Sequence, residues 1–139
     1  MSVSLYTPHG PGFSFVDTVE IIEPDRVVRT TKWLDPGLSF FADHFPGSPL
    51  MPGVLLVESG AQAAGVLWGN ILRASERPRF ALAQVVTFKI QRPVEPGQTI
   101  EVRAELERNF GALAQFVIEI REKGETVAAG RVILARNAD

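Results

Sequence analysis

The feature of this sequence that most constrains its fold is a long apolar stretch that follows Met51. Residues 52–74 predict a helix with Pro52 as the first helical residue, where its missing N–H would have no intrahelical partner in any case. Because nearly all faces of this helix are apolar or small, it is predicted to be buried on all sides. The residues concerned are Val54, Leu55, Leu56, Val57, Ala61, Ala63, Ala64, Val66, Leu67 and Trp68.

Residues 54–72 are also long and apolar enough to raise the question of a membrane span. They carry Glu58, Gln62 and Asn70, however, and an intramembrane carboxylate is costly. We therefore interpret the segment as the buried helix of a globular domain. Residues 1–12 lack a basic stretch followed by an apolar one, so no secretory signal is predicted.

The flanking residues predict strands and turns. Residues 15–22 and 26–33 are rich in β-branched and aromatic side chains and are separated by Glu23-Pro24-Asp25, which predicts a hairpin. Residues 34–49 contain three prolines and two glycines, so we predict a loop there. Strands are also predicted over residues 80–90, 98–108, 113–121 and 126–135. The order of elements predicts a single α+β domain over residues 1–139, with an antiparallel sheet wrapped around one long central helix.

Charge and composition argue against several classes of function. A net charge of −2 and a pI near 5.7 provide no general attraction to nucleic acid. The chain has no cysteine and two histidines, so neither a thiolate site nor a zinc site with three histidine ligands is expected. The absence of cysteine suits a reducing cytosol.

Glu58 is the anomaly of the predicted helix, because an unpaired buried carboxylate is costly. Gln62 lies four residues later on the same face and can hydrogen-bond with it. The pair could be catalytic. It could instead be a structural pair in which the two side chains satisfy each other's hydrogen bonding, or part of a polar stripe of the helix that is exposed to solvent.

His44 lies in a turn-rich loop just before the helix, where catalytic groups concentrate, although a lone loop histidine is often simply solvated. His9, in the N-terminal segment, has the weaker case. Gly53 at the helix start would expose backbone N–H groups at the positive end of the helix dipole, where they can polarise a carbonyl oxygen. It could equally serve only to permit a tight turn.

These residues share one segment, which reads HFPGSPLMPGVLLVESGAQAAG over residues 44–65. The segment closely resembles the signature of the 3-hydroxyacyl-[acyl-carrier-protein] dehydratases, with a histidine, a Pro-Gly helix start, a glutamate and then a glutamine. Supporting matches are Phe15-Val16-Asp17, Phe40-Phe41 and residues 88–97.

The resemblance implies a hot-dog fold and a homodimer with active sites at its interface, and it leaves open a trimer of dimers. It implies that His44 comes from one subunit and Glu58 from the other as catalytic residues. Gly53, Val54 and Gln62 would bind the substrate, with the Gly53 N–H on the thioester oxygen and Gln62 orienting Glu58. The implied partner is a cytoplasmic acyl carrier protein whose phosphopantetheine-linked acyl chain enters an apolar tunnel.

The implied reaction follows from these side chains. Neutral His44 would remove a proton beside the thioester carbonyl, and Glu58, kept protonated by burial, would donate to the departing hydroxyl. Alternatively, His44 makes both transfers while Glu58 and Gln62 hold the hydroxyl or a water. Neither version requires a metal or a redox cofactor.

Two other functions are compatible with such a fold. One is a thioesterase in which Glu58 activates water, and the other is a non-catalytic acyl-chain binder; His44 in its Phe-Pro-Gly setting argues against the first. Asp43 and Ser59-Gly60 depart from the usual family pattern, and the early loop over residues 8–13 keeps only part of the family's motif, which leaves the substrate open. Candidate contacts to an acidic carrier protein, each of which could also be ordinary surface, are Arg73, Arg77, Arg79, Lys89 and Arg92.

Overall fold

The computed structural model describes residues 8–73 and 79–136. Ala74, where the predicted helix ends, and Arg77, one of the candidate docking residues, lie outside these ranges. The described elements are a short 3-10 helix Pro11–Phe13, β1 Thr18–Glu23, β2 Val27–Trp33, α1 Ser39–Asp43, α2 Gly53–Ile71, β3 Phe80–Ile90, β4 Thr99–Asn109, β5 Leu113–Glu122 and β6 Glu125–Arg136.

The strands form one antiparallel sheet in the order β1-β2-β4-β5-β6-β3, and α2 packs against it. The predicted α+β hot-dog architecture is therefore confirmed. Although β3 follows α2 in the chain, it pairs only with β6 within the described sheet and so forms an edge. The other edge is β1.

The turns between the strands contain residues with positive φ. Lys123 and Gly124 both have positive φ, at 52° and 80°, which is typical of the two-residue turn whose twist matches a hairpin. In the predicted hairpin of β1 and β2, the Arg26 N–H donates to the Glu23 carbonyl at 3.0 Å, and Asp25 lies in the left-handed region at φ 61°. β1 begins at Thr18, later than predicted, because the Phe15 N–H is bonded to the side chain of Gln62 and not to a neighbouring strand.

The core lies between α2 and the sheet. β5 alternates buried and partly or fully exposed residues along most of its length, as expected of a strand with one face on a core. A Cβ added to Gly60 would lie 2.8 Å from Cγ2 of Ile118, so this glycine lets the helix approach β5 closely. Trp68 is fully buried and its ring stacks on that of Phe80, with 4.7 Å between centroids.

The predicted start of α2 was one residue early. Pro52 has an extended ψ of 137° and caps the helix, which begins at Gly53 and ends at Ile71. The prediction of burial on all sides was also wrong for the isolated chain. Val54 is 74% exposed, because the sheet covers only one side of the helix start.

The predicted loop over residues 34–49 contains a helix of five residues, α1, which the sequence analysis missed. It fits between Gly37 and Pro46, the interval of the loop that is free of proline and glycine. Within residues 8–73 and 79–136, no helix has the length and hydropathy that crossing a membrane requires.

Candidate active site

His44 is placed by the end of α1 and by the segment that leads into α2. Its backbone carbonyl accepts from the Leu50 N–H at 2.7 Å, and its ring Nδ1 lies 3.2 Å from the Leu50 carbonyl oxygen. A carbonyl oxygen can only accept, so Nδ1 must carry the proton. In the neutral ring, Nε2 is then the nitrogen that is free to take up a proton.

The loop that carries His44 is itself anchored. The Met51 N–H donates to the Val94 carbonyl at 2.8 Å, and Phe45 and Ser48 exchange backbone hydrogen bonds. The ring of Phe45 stacks on the His44 imidazole at a centroid separation of 4.1 Å. These contacts restrict the position of the imidazole, as a general base requires.

Gln62 is the polar anchor of α2. It is buried, its Oε1 accepts from the Phe15 N–H at 2.8 Å, and its Nε2 donates to the Phe13 carbonyl, also at 2.8 Å. Because the Phe15 N–H can only donate, this network determines which end of the amide is the oxygen. Gln62 therefore has one orientation.

Glu58 is held by that amide, since Nε2 of Gln62 also donates to Oε2 of Glu58 at 3.0 Å. The i, i+4 spacing in the sequence suggested this contact, and the contact is present in α2. The Glu58 side chain is 24% exposed in the single chain, so it is less sequestered there than its apolar helix suggested.

The start of α2 presents backbone donors. No side chain caps the helix among the described residues, because the N-cap is Pro52. The first-turn N–H groups therefore have no side-chain acceptor there and carry the positive end of the helix dipole. A Cβ on Gly53 would lie 2.7 Å from Cδ1 of Ile90, so the glycine also makes room for the end of β3.

The structure places His9 beside Glu58, a contact that the sequence analysis did not predict. Its Nε2 lies 3.6 Å from Oε2 of Glu58, and its ring packs near Phe13 at a centroid distance of 5.8 Å. His9 and Glu58 are far apart in sequence, so no helical or strand periodicity could have paired them. The sequence signals were that His9 lies shortly before the Phe15-Val16-Asp17 match and in a loop that keeps part of the family's motif.

The described chain therefore brings Glu58, Gln62 and His9 together. The His44 ring instead contacts Leu50 and Phe45, at the other end of the segment that enters α2. Gly53 and Val54 lie between these two groups along the chain.

The candidate docking residues differ in how available they are. Arg92 donates to the Glu122 carboxylate at 3.0 Å and lies 3.6 Å from that of Glu125, so its charge already has partners within the chain. Arg79 and Lys89 are exposed, as is Arg73, which lies 3.8 Å from Asp25.

Comparison with known proteins supports one family. The sequence profile of the FabA-like domain matches residues 7–133. A 3-hydroxyacyl-[acyl-carrier-protein] dehydratase FabZ from Dechloromonas aromatica strain RCB is 33% identical over 94% of this chain and 92% of its own length. A protein of the same name from Acidiphilium cryptum strain JF-5 is 37% identical over 87% of this chain and 74% of its own length.

A solved structure supports the fold. The dehydratase heterocomplex ApeI:P from Xenorhabdus doucetiae superposes with a TM-score of 0.80, over 96% of this chain and 90% of the matched chain. The sequence identity is 21%, so this likeness bears on architecture alone.

Proposed function

The chain belongs to the FabA-like family, and from that premise we propose that it is a hydro-lyase that converts a 3-hydroxyacyl thioester to the trans-2-enoyl thioester. The observation that carries the proposal is the Glu58 carboxyl group held by the buried amide of Gln62. The His44 imidazole, elsewhere in the same motif, supports it because its hydrogen bond to Leu50 leaves Nε2 as the basic nitrogen. The similar proteins are named as acyl-carrier-protein dehydratases, so we place the reaction in fatty-acid-type biosynthesis. We assign it to the cytoplasm, which the absence of cysteine suits.

The first step is removal of a proton from the carbon beside the thioester carbonyl. Nε2 of His44 takes this proton, and negative charge develops on the carbonyl oxygen. The N–H of Gly53, at the positive end of α2, stabilises that charge, and Val54 lies beside it in the substrate site. The C–H electron pair then forms the new C=C bond as the C–O bond to the hydroxyl breaks.

The departing hydroxyl needs a proton to leave as water. In one route Glu58 donates it, and in the other His44 returns the proton that it removed while Glu58 and Gln62 hold the hydroxyl. Gln62 and His9 both approach Oε2 of Glu58, so we expect Oε1 to be the carboxyl oxygen that faces the substrate in either route.

We also propose a homodimer with His44 from one subunit and Glu58 from the other. The support is the free β3 edge, whose exposed side chains include Leu82, Val85, Val86 and Ile90. An unpaired apolar edge strand is a template for pairing with another chain. Val54, exposed at the start of α2, adds to the apolar area. Dimers could assemble further into a trimer of dimers.

The substrate carrier that we propose is an acyl carrier protein with a phosphopantetheine-linked acyl chain. Such a carrier is acidic, and Arg73, Arg79 and Lys89 are the exposed described cations among the candidates for its docking surface. Arg92 is the weakest of these candidates because of its ion pairs with Glu122 and Glu125.

A single assay tests the reaction against its two rivals. Purified protein is incubated with a 3-hydroxyacyl or an enoyl thioester, and enoyl absorbance and free thiol are followed together. Interconversion without thiol release is the expected result. Thiol release would indicate a thioesterase, and neither signal would indicate an acyl-chain binder; either outcome overturns the proposal.

A further inference from the structure

The N-terminal segment over residues 9–15 contacts both members of the Glu58–Gln62 pair. The Phe13 carbonyl and the Phe15 N–H occupy the two ends of the Gln62 amide, each at 2.8 Å. His9, from the same segment, approaches the carboxyl group of Glu58. The polar face of α2 is therefore completed by a segment more than forty residues away in sequence.

The His9 imidazole directs one of its two nitrogens, Nε2, towards the carboxyl group of Glu58. Nε2 lies 3.6 Å from Oε2, which is long for a hydrogen bond but within the range of an ion pair. Nδ1 is buried and has no hydrogen-bond partner within the described chain. The ring lies near that of Phe13, which in turn packs edge-on against Phe15 with 5.4 Å between centroids.

Two groups from different elements thus approach one oxygen of Glu58. Gln62 reaches Oε2 from the next turn of α2, and His9 reaches it from the N-terminal segment. With Oε2 held on two sides, rotation of the carboxyl group is restricted. Contacts that are long in a free enzyme often tighten in the substrate complex.

We infer that His9 is a positioning residue for the dehydration, which acts on Glu58 through Nε2 and does not touch the substrate. The inference rests on the proposed function, because it assigns His9 a role in that reaction. Loss of Nε2 would leave Glu58 held by Gln62 alone. Since small misplacements of a catalytic group are costly, we expect kcat to fall on the order of 10- to 100-fold while KM changes little.

Two substitutions at His9 test the contribution of Nε2 and the contribution of the aromatic ring separately. His9→Phe keeps an aromatic ring near Phe13 but removes Nε2, whereas His9→Gln loses the ring but keeps an N–H at a similar reach. We expect His9→Phe to lose kcat without a lower melting temperature, and His9→Gln to retain most of it. Gly12→Ala is the matched control, because a Cβ there meets open space in the same segment, and its kcat should be unchanged.

A double-mutant cycle with Glu58→Gln tests whether His9 acts through Glu58. If His9 acts through Glu58, His9→Phe has little further effect on single-turnover rates in the Glu58→Gln background. The inference is overturned if His9→Phe is fully active, or if the two substitutions have independent effects. The wild-type protein serves as the reference. If it does not interconvert the thioesters, the proposed function has failed, and the role of His9 falls with it.

Discussion

At the scale of single residues, the hydrogen bond between His44 and Leu50 has the largest chemical consequence. A carbonyl acceptor on Nδ1 leaves Nε2 as the basic nitrogen of the neutral ring, so a backbone atom selects the tautomer. This was not predictable from the sequence, because it depends on how the loop over residues 44–50 folds back on itself.

We predict that His44→Ala lowers kcat on the order of 10² to 10⁴-fold, the usual contribution of acid–base catalysis. Steady-state assays of the enoyl product measure this, with circular dichroism to check that the variant folds. Ser48→Ala, an exposed position in the same loop, is the control and should retain wild-type kcat. A folded His44→Ala variant with normal turnover would remove His44 from the mechanism.

Gln62 links catalysis to stability. Gln62→Leu keeps the side-chain bulk but leaves the Phe13 carbonyl and the Phe15 N–H without the partners that they have in the native chain. We expect the free energy of unfolding to fall by about 1–3 kcal/mol, the cost of leaving the buried Phe15 N–H unsatisfied. Urea denaturation measures this loss, and kcat should fall as well because Glu58 loses its donor. A variant with unchanged stability would show that water replaces both contacts.

At the scale of elements, α2 shows which properties of a helix a sequence pattern predicts and which it does not. Its existence, apolar character and approximate limits followed from local composition. Its exact start did not, because the extended ψ of Pro52 depends on the path of the preceding loop. The exposure of Val54 was also unpredictable, because it depends on where the sheet ends.

Close packing between α2 and β5 leads to a stability prediction. Gly60→Ala would gain about 1 kcal/mol of helix propensity but place a methyl group 2.8 Å from Cγ2 of Ile118. Overpacking typically costs about 1–3 kcal/mol, so we expect a net loss of stability. Thermal or urea denaturation measures it. Asn70→Ala, at an exposed position of the same helix, should be neutral or slightly stabilising. A more stable Gly60→Ala variant would show that β5 can move away.

At the scale of the whole molecule, we expect one sheet edge, β3, to contact a second subunit and the other edge, β1, not to. We predict that the wild-type chain runs in light scattering at twice its 15.2 kDa mass or a multiple of that dimer. Val86→Lys on β3 should produce monomers and abolish activity, because a charged edge opposes strand pairing. Ile22→Lys places the same charge on the opposite edge, β1, and should leave the dimer intact. The reverse pattern would place the interface at β1.

Subunit mixing tests whether each site is shared. His44→Ala and Glu58→Gln proteins are each expected to be nearly inactive, and after exchange of subunits we expect activity to return in part. The mixed dimer would contain one site with an intact His44 from one chain and an intact Glu58 from the other. If both residues of a site came from the same chain, no mixed dimer would contain an intact site and no activity would return.

The amino-acid sequence alone was enough to predict the class of fold, most element boundaries to within a few residues, and the candidates His44, Gly53, Val54, Glu58 and Gln62. These depend on local information: helical spacing, strand composition, turn residues and one contiguous motif. The folded structure established the tautomer of His44, the second partner of Glu58 and the exposed β3 edge. The first depends on how the loop over residues 44–50 folds back on itself. The other two depend on where segments distant in sequence meet or fail to meet, which no local pattern encodes.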